Sequence, residues 1–217
     1  TNNVDSIIFY DTTSIAVDAS ITDVDGNVYT SVTIGTQEWM VENLRTTKYS
    51  DGTAIPNVTD DTEWNNLISG AWCHYDNDNQ YDTIYGKLYN WYAVNTNKLC
   101  PTGWHVPTDA EWIVLKDYLT ANGHSGAEGK ALGATSGWSS GGNGTDDYGW
   151  LGLPGGYRSY DGDFSSVNNK GAWWSSSQSP YSALDAWYSN LDYYYGDEVN
   201  IYSNDKKSGF SVRCLRD

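Results

Sequence analysis

Positive charge is scarce in this 217-residue chain: 12 Lys and Arg stand against 28 Asp and Glu, a formal net charge of −16. Apart from the adjacent Lys206 and Lys207 the cations are scattered, so no basic stripe can displace counterions from a phosphate backbone, and nucleic acid is not an expected partner. No apolar run approaches the roughly 18 residues of a membrane span, so membrane insertion is not expected. The opening TNNVDSIIFYDTTS has neither the basic start nor the apolar core of a signal segment, and we read the chain as a mature fragment or an excised piece. The three histidines, His74, His105 and His124, do not form a metal pair at helical spacing, which argues against a zinc site.

Cysteine is also sparse. Cys73, Cys100 and Cys214 are an odd set, so at most one bridge can form within the chain. Cys100 precedes the strand-like GWHV and Cys214 lies in the strand-like FSVRCL, and we expect these two to be joined, with Cys73 free as a small buried hydrophobe. Closing so long a loop would stabilise by about 4 to 5 kcal/mol in the chain-entropy model. Three buried reduced thiols are the alternative.

Aromatic residues are abundant: 11 Trp and 18 Tyr, with only 3 Phe and 1 Met. Such a chain can build a core, and its Tyr, Trp, Gly, Ser, Asn and Asp bias is that of extracellular binding surfaces, where rigid amphipathic rings give contact area at little entropic cost. A secreted or cell-surface location is therefore expected.

Residues 1–20 read as a linker or a lone N-terminal strand, and a single domain spans 21–217. Asp25-Gly26 predicts a hairpin over Asp23–Met40, and Asp23-x-Asp25-x-Asn27 reads as a turn, since Ile34 stands where a calcium loop needs glutamate. Asp60 and Glu63 cap a short helix ending near Gly70. Tyr85, Leu88, Tyr89 and Tyr92 predict a helix over Tyr85–Asn95, and Thr108 with Glu111 forms a capping box for a third helix that ends at Asn122-Gly123. Long glycine-rich loops follow from Ser125 to Asn169, with short strands near Trp150–Leu153 and Tyr157–Ser159. Strands are expected again over Trp173–Ser175, Ala186–Asp192, Glu198–Ser203 and Phe210–Leu215. Helices and strands segregate without βαβ alternation, which predicts an α+β fold. Trp39, Trp91, Trp104, Trp112 and Trp173 are the expected core rings, and Arg213 is expected to pair with Asp109 or Glu111 if it does not face outward.

Six ordered blocks, GTQEWMVENL, YGKLYNWYAVN, CPTGWHVPTDAEW, LPGGYRSYDGDF, AWWSSS and GFSVRCLRD, resemble the Fibrobacter succinogenes major paralogous domain family over roughly residues 21–217. VPTDAEW and GFSVRC are also similar to blocks of the formylglycine-generating sulfatase-modifying family. The resemblance implies a C-type-lectin-like fold, with short antiparallel sheets, two or three short helices and long loops, in a secreted or surface-exposed bacterial protein. It brings no catalytic activity: the formylglycine-generating relatives use a cysteine pair ahead of the terminal block, and this chain has no cysteine between Cys100 and Cys214.

Other chemistry is thin. Gly137-Trp138-Ser139-Ser140-Gly141 matches a nucleophile-elbow pattern, but the GNGTDDYG that follows cannot begin the helix that chemistry needs. Asp76, Asp78 and Asp82 crowd one loop and are the candidate ligands for calcium. In Ala186–Asp205, alternation places Trp187, Ser189 and Leu191 on a buried face and Tyr188, Asn190 and Asp192 on an exposed one. Asn200, Tyr202 and Asn204 would join the exposed face from the next strand, and Tyr193, Tyr194 and Tyr195 crowd the turn between. We expect this face to bind a glycan or protein ligand without catalysis, as an adhesion or recognition module. A retroelement-diversified recognition protein and an enzyme related to the formylglycine-generating family are the alternatives.

Overall fold

A computed structural model describes residues 20–139, 141–192 and 196–217. Nearly all of the expected N-terminal linker, and Tyr193, Tyr194 and Tyr195, lie outside these. The Asp25-Gly26 turn joins β1 (Ile21–Thr22) to β2 (Val28–Tyr29), with Gly26 at φ 84°. Asp23 holds the turn: its carboxylate accepts the Asp25 and Asn27 N–H groups at 2.9 and 3.0 Å and the Tyr29 hydroxyl at 2.6 Å. A second hairpin, β3 (Ser31–Ile34) and β4 (Gln37–Met40), follows, so the stretch expected as one hairpin is two.

Asp60 caps α1 (Asp61–Asn65) by accepting the Glu63 N–H at 2.8 Å. The helix stops earlier than expected and leaves Ile68 84% exposed. After β5 (Trp72–Cys73), the helix expected over Tyr85–Asn95 is replaced by α2 (Asp82–Tyr85), β6 (Leu88–Tyr89) and α3 (Trp91–Val94). Gly86, at φ 72°, turns the chain out of α2 in a conformation that favours glycine. After Lys87, the two residues of β6 pair with β5, Leu88 opposite Cys73 and Tyr89 opposite Trp72. Asn90 then caps α3 through the Ala93 N–H at 3.1 Å. The helical spacing of Tyr85, Leu88, Tyr89 and Tyr92 is a coincidence of three elements.

Next come β7 (Trp104–His105) and α4 (Asp109–Leu119), whose Thr108–Glu111 capping box forms and whose Trp112, Leu115 and Leu119 are buried. The chain continues through α5 (Glu128–Leu132), β8 (Gly155–Arg158), β9 (Phe164–Val167), β10 (Lys170–Gln178), β11 (Asp185–Asp192), β12 (Gly196–Asp205) and β13 (Leu215–Arg216). Instead of the expected strand at Trp150–Leu153 there is a single bridge, Gly133 to Gly152. Phe210 and Ser211 likewise make isolated bridges, to Tyr89 and Trp173, ahead of β13.

The larger sheet has the order β12-β11-β10-β8-β9, and a four-stranded sheet runs β3-β4-β13-β7. Short antiparallel sheets with a few short helices make this an α+β, C-type-lectin-like fold. Among the described residues no helix is long and apolar enough to cross a membrane.

The larger sheet lies between two cores. One gathers Tyr89, Trp91, Trp174, Tyr188 and Phe210, the other Trp39, Trp112, Trp150, Trp173, Leu191 and Val199. Trp104, expected in the core, is only half-buried at the rim of the first. Cys100 and Cys214 are bridged with Cα atoms 6.0 Å apart, and Cys73 is free and buried; burial pushes the Cys73 thiol up to about 12.

Among the described residues, six of the chain's 12 cations stand on aromatic rings: Arg45, Lys87, Arg158, Lys170, Lys206 and Arg213. Arg213 pairs with neither Asp109 nor Glu111. It is buried with its guanidinium 3.8 Å from the Trp150 ring, and it donates to the Trp150 and Leu151 carbonyls and to Asn43 Oδ1. Asp109 instead accepts the Ser177 hydroxyl at 2.6 Å, and Glu111 is held by Thr108 and His105. Carbonyls and rings thus receive the two terminal guanidinium nitrogens and the cation face, while Nε has no hydrogen-bond partner among the described residues.

Candidate functional site

The antiparallel register of β11 and β12 sets Tyr188 opposite Tyr202, Asn190 opposite Asn200 and Ala186 opposite Asn204. The side chains grouped from alternation therefore do share one face. Their depth differs from expectation. Tyr188, Asn190 and Asp192 are only 6%, 1% and 7% exposed, because β11 is the second strand of the sheet and both its faces are covered. The Tyr188 ring packs 4.6 Å from Phe210, which is delivered by the terminal segment, and 6.4 Å from Trp174 of β10. Ser189 and Leu191 face the other core and are buried too. Alternation cannot separate inside from outside on a strand buried on both sides.

β12 is the edge strand, and there the face emerges. Tyr202 is 52% exposed, while Asn200 and Asn204 are half-buried. Asn204 Oδ1 is taken by the Asp205 N–H at 2.8 Å and the Ser208 hydroxyl at 3.2 Å. Asn200 donates to the Glu198 carbonyl at 3.3 Å and receives only a long contact, 3.5 Å, from the Tyr202 hydroxyl. Among the described residues of this set, Tyr202 and Asn200 are thus the ones at the surface with hydrogen-bonding or stacking capacity left.

Beneath them Lys170 Nζ lies 5.5 Å from the Tyr188 ring centroid and 5.7 Å from that of Tyr157, and 3.5 Å from the Asp192 carboxylate. Burial pushes the Tyr188 phenol above its ordinary pKa, with Lys170 acting in the opposite sense. Asn190 Nδ2 has no partner among the described residues.

Near the mouth of the hairpin a cleft of about 90 Å³ runs between α5 and β12, lined by Gly129, Lys130, Trp138, Gly142, Asp192, Asp197 and Glu198 among others. Gly129 is required there: a Cβ on it would stand 2.7 Å from the Glu198 carbonyl oxygen. The glycine-rich region thus reaches the β11–β12 hairpin, which the sequence did not reveal. Also unforeseen is Tyr181, 84% exposed in the turn before β11, with its ring 6.1 Å from Trp187. Ser179-Pro180 marks that turn, and an aromatic residue just after it was the available signal.

The three aspartates considered for calcium are not brought together. Asp78 caps Gln80 N–H at 2.9 Å, Asp82 is bound to Lys87 Nζ at 2.6 Å, and Asp76 is exposed in a left-handed conformation at φ 53°. Among the described residues no three His, Cys, Asp or Glu side chains form a group placed to hold a metal ion. Ser139 lies in a bend with neither strand before it nor helix after it.

A family model described as the Fibrobacter succinogenes major domain matches residues 32–216. No curated protein and no solved structure matches the chain.

Proposed function

This chain belongs to the Fibrobacter succinogenes major domain family, and from that premise we propose that it is a non-catalytic binding or adhesion domain of a secreted or surface-exposed bacterial protein. Its ligand, a glycan or a protein, contacts the outer part of the β12 face. The observation that carries this reading is Tyr202, a large ring half in solvent on a strand whose inner neighbour is fixed in a core. A ring so mounted offers a stacking surface at little entropic cost of ordering, and Asn200 beside it supplies a directional hydrogen bond. A location outside the cell is part of this reading, and the Tyr- and Asn-rich composition and the disulfide support it.

The test is a glycan and protein array read with and without calcium, followed by titration of any ligand found against Tyr202→Ala. The substitution should weaken binding by about 1–3 kcal/mol, as for an aromatic anchor, at an unchanged melting temperature. Full-strength binding by the variant would move the site elsewhere, the cleft beside α5 being the next candidate.

A further inference from the structure

The backbone of β12 is as informative as its side chains. Lys206 N–H donates to the Leu184 carbonyl at 2.9 Å, one residue past the Asp185–Asp205 pair. That bond makes Asp185 and Asp205 a non-hydrogen-bonded pair, so the Asp205 N–H and C=O point away from β11. Two further contacts agree: the Asp205 N–H is met by the Asn204 side chain at 2.8 Å, and the Val199 carbonyl accepts Lys116 Nζ at 2.9 Å from outside the sheet. The register is unbroken between Asn190 and Ala186 on β11. By alternation, Asn200, Tyr202 and Asn204 bond to β11 while Ile201 and Ser203 turn their N–H and C=O groups outward. Among the described residues these four groups have no partner. The open stretch is bounded on one side by Lys116 and on the other by the Asn204 cap.

We propose that this edge accepts an extended cationic peptide segment of a partner protein as an added strand beside β12. Backbone pairing would supply the four missing hydrogen bonds, and the partner's alternate side chains would meet Tyr202 on one face and Ile201 and Ser203 on the other. The charge around the edge selects the partner. Exposed Asp197 and Glu198 lie at one end and half-buried Asp205 and Asp185 at the other. Of the nearby cations, Lys206 is buried over Trp91 and Lys116 is held by Val199 and Glu198, so exposed Lys130 beside Asp197 and half-buried Lys207 beside Asp205 leave the four carboxylates in excess. A second copy fits poorly: antiparallel copies related about Ile201 would oppose Asp205 to Asp197, and each copy carries a charge of −16. The proposal uses backbone groups and stands apart from what the Tyr202 ring contacts.

Site-resolved amide hydrogen exchange on the whole chain tests it, with the probe peptide acetyl-Lys-Thr-Val-Thr-Val-Lys-amide. In the free protein the Ile201 and Ser203 amides should exchange much faster than those of Tyr202 and Asn204, and saturating probe should slow the first two at least tenfold. Ser203→Pro removes one outward donor without touching a bond to β11, and it should abolish the protection of Ile201. If that variant does not fold, Ser203→Lys serves in its place by repelling the cationic probe. Protection of Ile201 and Ser203 in the free monomer, or none at millimolar probe, would overturn the proposal. Protection that rises with protein concentration alone would name a second copy as the occupant, and equal protection by a control peptide with glutamate in place of both lysines, acetyl-Glu-Thr-Val-Thr-Val-Glu-amide, would overturn the charge argument. Loss of binding in Tyr202→Ala with these exchange patterns intact would bear on the ring alone.

Discussion

β11 and β12 are neighbours with closely similar side-chain patterns, yet one is interior and the other is surface. Tyr188 and Tyr202 stand directly opposite each other, their ring centroids 6.4 Å apart, at 6% and 52% exposure. What separates them is place in the sheet. β11 has a strand on each side, with one core above and the other below, while β12 has a neighbour on one side only. A tyrosine on the inner strand is therefore a packing residue, and the same residue one strand out is available for recognition.

The contrast depends on the terminal segment, which carries Phe210 under Tyr188 and is tied to the middle of the chain by Cys100–Cys214. Breaking that tie should have the largest effect. The paired substitution Cys100→Ala and Cys214→Ala should lower stability by about 4–5 kcal/mol in chemical denaturation, since the bridge closes a loop of over a hundred residues; the sequence separation is 114. A loss under about 1 kcal/mol would show that the segment holds its place without the bridge.

Next in size is the direct comparison of the two rings. Tyr188→Ala should cost roughly 3–5 kcal/mol, the range for a buried aromatic replaced by alanine, whereas Tyr202→Ala should stay within about 0.5 kcal/mol of the parent. Equal costs in urea melts would mean that the edge strand is as deeply packed as its neighbour.

The smallest effect is one of pH. The Tyr188 phenol titrates above its ordinary value because it is buried, so the folded state holds this proton more tightly than the unfolded one. Its contribution is complete below pH 10, the ordinary tyrosine range, and declines as the pH rises above it. Melts of Tyr188→Phe at pH 9 and pH 11 should show a shallower alkaline loss than the parent. An identical loss would place that phenol in solvent.

The sequence revealed what is set locally. The Thr108–Glu111 capping box, the Asp60 cap and the Asp25-Gly26 turn each lie within a few residues of what they organise. The shared face of Tyr188, Asn190, Asn200 and Tyr202 was legible because strand alternation fixes it once the two strands pair. Depth was not legible, since Tyr188 is covered by Phe210 and Trp174, which belong to other segments. The same distance hid the partners of Arg213: its carbonyls come from Trp150 and Leu151, some sixty positions away. At Tyr85–Asn95, burial of alternate turns imitated a helix, while Gly86 and the pairing of Leu88–Tyr89 with β5 decided the outcome. Tyr181 escaped notice because it stands alone in a turn, outside any periodic pattern.

Tyrosine nitration with peptide mapping tests the account most directly, because it reads the two opposed rings in one sample of the native protein. Tyr202 should be modified readily, with Tyr181 as an internal standard for full exposure, while Tyr188 stays unmodified until the protein is unfolded. Nitration of Tyr188 at a rate comparable to that of Tyr202 in the folded protein would contradict the division between inner and outer strand on which the proposed recognition surface rests.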